Sequence, residues 1–269
     1  MKFYCKNSGQ YPLVFYLLQI IIVSVTTVWS VKINRLLVPE VARPGFPIIL
    51  DCDYTLEGKD DGLVVKWFFN DLPLPVYQWI PTIHKKPQVL GILKGRLNLN
   101  YSASKDMHTE HRALHIIQPG PDLSGNYTCL VSTFNNEDQK TKGMLVLVPA
   151  KSFELSQENT GDGMLQVICY AEGVFPKPNM TLLMGNSEVN DSMVSVEQRA
   201  GLFNIRMVAE VPSLRAPEEF ACELRVPQAN YTVSKKVIYY PVSSAVSDSH
   251  NVILNFIMAL FINYVFFIG

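Results

Sequence analysis

The chain has 269 residues, 48% of them apolar, and a net charge of −1, which leaves room for about two domains of ordinary size. So even a balance gives no long-range attraction for nucleic acid, so that partner class is excluded on charge. The five cysteines are Cys5, Cys52, Cys129, Cys169 and Cys222.

Lys2 and Lys6 precede an uncharged apolar run from Leu13 to Val28, and Ser30 offers a small residue before a cut. Residues 1–30 therefore read as a secretory signal peptide, whose removal would take Cys5 with it. The alternative is an uncleaved anchor, because the run is nearly long enough to span a bilayer. From Val31 the pattern changes to short alternating stretches. Val31, Ile33, Leu36 and Val38 form a loose strand, Pro44-Gly45 a turn, and Ile48, Leu50 and Cys52 one apolar face of a second strand. Glu57 to Gly62 is a polar loop. Val65, Trp67 and Phe69 then share an inner face while Lys66 and Phe68 point out. A turn at Asn70 to Pro73 leads into Val76–Ile80. Gly95 to Asn100 is another strand candidate, Leu114 and Ile116 are inward residues of the next, and Lys142 to Val148 is the last before Pro149.

In Asp122-Leu-Ser-Gly-Asn-Tyr-Thr-Cys129, Tyr127 and Cys129 are two apart and face the same way on a strand. Cys52 lies 77 positions before Cys129, with Trp67 between them. Together these complete the Cys…Trp…Tyr-x-Cys spacing of an immunoglobulin sandwich, in which a disulfide between sheets packs on an indole and the tyrosine closes a corner. About eight to nine short strands make residues 31–149 a variable-like sandwich. Residues 150–241 repeat the pattern as a constant-like one. Leu165, Val167 and Cys169 alternate, Gly173 to Pro178 forms a Pro-rich turn, and Met180, Leu182 and Met184 share a face. Here Leu182 takes the tryptophan's place and Phe220 the tyrosine's, which keeps the bulk and loses the hydroxyl. Ser187 to Ser192 and Val226 to Thr232 read as surface loops. The fold class is all-β, two sandwiches in tandem. Four cysteines allow three connectivities, and the sandwich pattern selects Cys52–Cys129 and Cys169–Cys222. The first closes a loop worth about 4 kcal/mol in the chain-entropy model, and both imply an oxidising compartment.

Beyond the second sandwich, Ser243 and Ser244 are small residues within a spacer at 242–251, followed by an uncharged apolar segment at 252–269. Small site, spacer and apolar tail is the pattern exchanged for a glycosylphosphatidylinositol (GPI) anchor, with a transmembrane helix as the rival. Five Asn-x-Ser/Thr sequons, at Asn100, Asn126, Asn179, Asn190 and Asn230, agree with the secretory route. The expectation is a glycoprotein on the outer side of the cell membrane, or shed from it.

Catalysis finds little support. His108, His111 and His115 would converge on zinc only along a helix. On a strand and its preceding loop they read as solvated. No nucleophile elbow, phosphate loop or zinc-protease motif occurs, and nothing calls for a cofactor or metal. Glu218-Glu219 reads as wet surface. Variable-type sandwiches often pair an arginine such as Arg96 with an aspartate six before the second cysteine, but Leu123 stands there. Whether Asp122 closes the bridge is left open. The functional signal is apolar area facing outward: Phe68, Leu130, and either Tyr77 with Trp79 or their neighbours. The alternative for Tyr77 and Trp79 is that they fill the core edge. A glycan on Asn126 would cover one end of this face and leave the half near Phe68 and Leu130 open.

The first domain resembles the insect Beat (beaten path) family of neuronal immunoglobulin proteins. The resemblance rests on Val38-Pro39, Leu50-Asp-Cys-Asp-Tyr-Thr-Leu-Glu-Gly58, Val65-Lys-Trp67, Tyr77-Gln-Trp-Ile-Pro81, Ser124-Gly-Asn-Tyr-Thr-Cys129 and Val148-Pro149. It covers about Leu36 to Pro149 and is most specific in the Cys-Asp-Tyr-x-Leu-Glu-Gly run. The resemblance implies an axon-guidance or synaptic receptor that binds Sidestep-type immunoglobulin proteins through its first domain. The competing expectation is a secreted or shed immune-type recognition protein.

Overall fold

A computed structural model describes residues 31–56 and 62–241. The leader at 1–30, the anchor segment at 242–269 with Ser243 and Ser244, and most of the 57–62 loop lie outside them. Among the described residues no helix is long and apolar enough to cross a membrane.

The first half carries β1 (Lys32–Leu37), β2 (Val41–Ala42), β3 (Ile48–Thr55), β4 (Val64–Phe69), β5 (Tyr77–Trp79), β6 (Gln88–Val89), β7 (Leu114–Ile116), β8 (Gly125–Ser132) and β9 (Glu137–Val146). They form a three-stranded sheet, β1-β3-β7, and a six-stranded one, β2-β9-β8-β4-β5-β6. Alternate residues of β3, β4 and β8 are buried between the sheets, so a period of two in the sequence becomes one shared core. The sheets are joined by Cys52–Cys129, with Cα atoms 6.4 Å apart. Trp67 is the register partner of Cys129, which sets the indole beside the bridge. The Tyr127 hydroxyl donates to the Leu123 carbonyl at 2.9 Å and closes the corner.

The second half carries β10 (Ser152–Asn159), β11 (Met164–Val174), β12 (Asn179–Met184), β13 (Ser187–Glu188), β14 (Ser192–Arg199), β15 (Leu202–Pro212), β16 (Glu218–Val226) and β17 (Tyr231–Tyr239). Its sheets are β10-β11-β15-β14 and β13-β12-β16-β17, joined by Cys169–Cys222 at 6.0 Å between Cα atoms. Leu182 sits opposite Cys222 and is fully buried, so it fills the indole's place with a smaller side chain. Phe220 is buried too and has no hydroxyl to donate.

Three segments differ from expectation. Gly95–Asn100 is not a strand and makes a single bridge, Leu97 with Ile116. Positive φ at Gly91 and Gly95 turns the chain too sharply for a longer ladder. Within 187–192, Ser187–Glu188 pairs with β12 instead of looping free. At 226–232, Val226 is a buried end of β16, and left-handed Asn230 closes a tight connection to β17.

The junction contains no free residue. The Leu147 amide donates to the Ala42 carbonyl at 2.8 Å, while the Leu147 side chain joins the second core. The next residue, Val148, exchanges two backbone hydrogen bonds with Phe175, at 2.9 and 3.0 Å. The expected boundary after Pro149 lies just beyond this point.

Candidate recognition surface

Register fixes which side chains the six-stranded sheet turns outward. Lys66 lies opposite Leu130 on one side and Gln78 on the other, and Leu130 lies opposite Gln139. In the adjoining row Phe68 lies opposite Thr128, whose hydroxyl is 2.7 Å from that of Thr141. Phe68 and Leu130 are thus diagonal neighbours on one face, each half-buried, within a border of Lys, Gln and Thr. An apolar centre with a polar rim is the anatomy of a protein-binding patch.

Tyr77 and Trp79 are not part of this face, which corrects the expectation for both. β5 sets Tyr77 opposite Trp67 and Trp79 opposite Val65. Directly opposed residues share a face, so both rings point into the core, where each is 2% exposed. The Tyr77 hydroxyl donates to the His111 carbonyl at 2.6 Å, and Trp79 meets the His111 ring edge-on at 5.4 Å. Gln78 is what β5 shows to solvent.

The sequon at Asn126 also changes the surface. Asn126 is exposed opposite Gly143, one row beyond Phe68 and two beyond Leu130. A glycan at Asn126 would border Phe68, and the half it would leave open is centred on Leu130 and Lys66. At that open end stands a residue the pattern reading missed. Phe134, in the turn between β8 and β9, is 81% exposed. Its ring lies over Gly62, where an added Cβ would come within 2.6 Å of it, and Gly62 has φ +79°. The available signal was one aromatic residue among polar ones in Thr133-Phe-Asn-Asn136.

Behind this sheet the 108–112 segment is held by core side chains. Tyr54 donates its hydroxyl to the His108 carbonyl, Tyr77 to that of His111, and the Trp67 indole to that of Arg112 at 3.2 Å. The Arg112 guanidinium in turn grips Asp51 with two hydrogen bonds, at 2.9 and 3.0 Å, and also reaches Asp53. Burial on its own would lower the Arg112 pKa; the hydrogen bond and charge of Asp51, joined by Asp53, outweigh it and hold the pKa above its usual value. His111 is 8% exposed, which corrects its reading as solvated: Nδ1 lies 3.2 Å from the Tyr101 carbonyl and Nε2 3.8 Å from Glu110. His115 is half-buried on Asn98 and Tyr101. Among the described residues no group of His, Cys, Asp and Glu is placed to hold a metal. Arg96 and Asp122 are joined at 2.7 Å. All five sequon asparagines are exposed.

No protein-family model matches the chain. Human butyrophilin-like protein 2 is 22% identical over 204 residues, which is 75% of this chain. The chain spans 42% of that relative's length. Among solved structures, bovine butyrophilin superposes with a TM-score of 0.63 at 16% identity, covering 80% of this chain and all of that one. A chain from the crystal structure of ICOS in complex with ICOS-L and an anti-ICOS-L VNAR domain gives 0.56 at 15%, covering 73% of this chain and 97% of that one. The mouse nectin-like molecule 4 ectodomain gives 0.50 at 10%, covering 74% and 64%. At these identities the likeness is one of fold: the protein is built of two immunoglobulin-type sandwiches in tandem.

Proposed function

We propose that this chain is a cell-surface recognition protein that binds another immunoglobulin-type ectodomain through the outer face of its six-stranded sheet. The observation that carries the reading is the diagonal pair Phe68 and Leu130, outward on adjacent strands, with exposed Phe134 at the open end. Apolar side chains on a sheet face that has no core to join are best explained by a partner that covers them. Two sandwiches of this kind meeting face to face would set aromatic and aliphatic anchors against each other inside a ring of Lys, Gln and Thr. The partner class has support in the solved complex of ICOS with ICOS-L, to a chain of which this fold is similar.

The finer reading is a GPI-anchored guidance or synaptic receptor with a Sidestep-like partner, and it draws on the Beat resemblance and the small-residue site at Ser243 and Ser244. Release of the protein from cells by a phosphatidylinositol-specific phospholipase C tests the anchor, and retention on the cells would refute it. Tagged ectodomain is to be screened against a panel of immunoglobulin ectodomains. In any pair found, Leu130→Glu is expected to weaken binding at least about thirtyfold, since a charge at a desolvated centre costs on the order of 2 kcal/mol or more. Phe68→Glu is expected to do the same. The sheet-face reading fails if both secreted variants bind as the parent does.

A further inference from the structure

Beside the recognition face lies a cavity of about 510 Å³, partly open to solvent, and the sequon residue Asn100 forms part of its wall. That volume falls within the roughly 300–1,000 Å³ of small-ligand sites. Trp79 and His111 line its inner side. The Trp79 indole N–H is closed off from solvent, so the groups the cavity presents to a ligand are those of its rim. On the rim, His84 and Lys85 have exposed side chains with no hydrogen bond or ion pair among the described residues. Met107 is 62% exposed along another wall, and Glu110 supplies a carboxylate that accepts from Ser102 at 3.1 Å. Donors, an acceptor and an apolar strip suit a ligand with hydroxyl and amide groups around a compact body. An N-acetylhexosamine is such a ligand.

Asn100 is itself set to deliver one. Lys86 Nζ donates to Asn100 Oδ1 at 3.2 Å, so the amide oxygen is engaged and the nitrogen is free. Glycosylation replaces an Nδ2–H by a bond to the anomeric carbon of an oligosaccharide carried on a lipid diphosphate; the carbon–oxygen bond breaks and the diphosphate leaves as the proton is lost. A sugar fixed to the wall has an effective concentration in the millimolar range or above, far beyond that of a free competitor. Asn126, Asn179, Asn190 and Asn230 do not line this cavity. We propose that the first sugars of an N-glycan on Asn100 occupy this cavity and form part of the folded first domain, covering Met107 and engaging Lys85 and His84.

The test uses the ectodomain secreted from eukaryotic cells. It is digested with peptide N-glycosidase in heavy-oxygen water, native or denatured, and release is followed at each site by mass spectrometry. The native protein is expected to lose the Asn100 glycan at least about tenfold more slowly than the other occupied sites, because the bond is reached only through local opening. After denaturation the rates should be equal. An Asn100 found vacant, or released natively as fast as the rest, overturns the proposal. Met107→Ala, at an exposed position, is expected to speed release at Asn100 alone. Unchanged protection in that variant would assign the slow release to the surrounding loop and would also overturn it.

Discussion

Above pH 10 the first sandwich is expected to lose stability steeply, at a rate approaching about 4 kcal/mol per pH unit. Tyr54, Tyr77 and Tyr127 all lie in it, and each has its pKa pushed far above the ordinary value of 10.0. Desolvation by burial is the leading cause in all three. For Tyr54, Asp106 and Asp51 add to it while Arg112 opposes; for Tyr77, Tyr54 adds; for Tyr127, Asp122 adds and Arg96 opposes. The sign follows from proton counts. Unfolded tyrosine releases its proton near pH 10, whereas the buried phenols keep theirs. Each raised pKa thus contributes stability fully present below pH 10 and lost as the pH rises past it, by about 1.4 kcal/mol per unit for each group. Denaturant titrations between pH 8 and 11.5, with tyrosinate absorbance followed in parallel, check the expectation. Tyr77→Phe should remove about a third of the slope. A tyrosinate signal that forms while the sandwich is intact and falls by one residue's share in Tyr77→Phe would show that this phenol is not sealed as described.

Replacing Arg112 by alanine is expected to destabilise the first sandwich by about 2 kcal/mol. The guanidinium sits between Asp51 and Asp53, with its side chain 17% exposed against 24% and 41% for the carboxylates. Breaking a fully buried pair costs roughly 3–5 kcal/mol, and the partial access of water here reduces that figure. Without the arginine two carboxylates on one face of β3 repel each other with no counter-charge. Lysine at this position should recover only part of the loss, because an ammonium cannot make the forked contact with Asp51. In a double-mutant cycle, Asp51→Asn should cost less in the Arg112→Ala background than alone. A single-variant effect within about 0.5 kcal/mol of zero would mean the clamp is a surface pair of no consequence.

The same clamp explains how far the sequence could be read. Strands β3, β4 and β8 were legible because an inner face that must be apolar writes a period of two, and the cysteines, tryptophan and tyrosine mark where the sheets meet. The Cys-Asp-Tyr run stood out as something a sandwich does not need. Its purpose appears only when the distant 108–112 segment is folded against it: Asp53, with Asp51 just before the run, holds Arg112, and Tyr54 holds His108. β5 could not be read because three residues carry too little pattern to fix a register. The partners Trp67 and Val65, not the local sequence, decide that Tyr77 and Trp79 go inside. His111 reads as solvated for the same reason: Tyr77 and Trp79, which pack against it, lie far back in the chain. Phe134 is not legible because a turn has no periodicity against which one aromatic can be measured.

The direct passage from Leu147 to Val148 bears on how the chain can meet a partner. A swinging connector would let the first sandwich explore many angles and would forfeit that freedom on capture. Here consecutive residues are hydrogen-bonded into opposite halves, so little angular freedom is left to surrender. If the chain binds as proposed, it would present its first sandwich to a partner in few poses, and a lengthened junction, for example glycines inserted after Leu147, should slow capture without altering either sandwich.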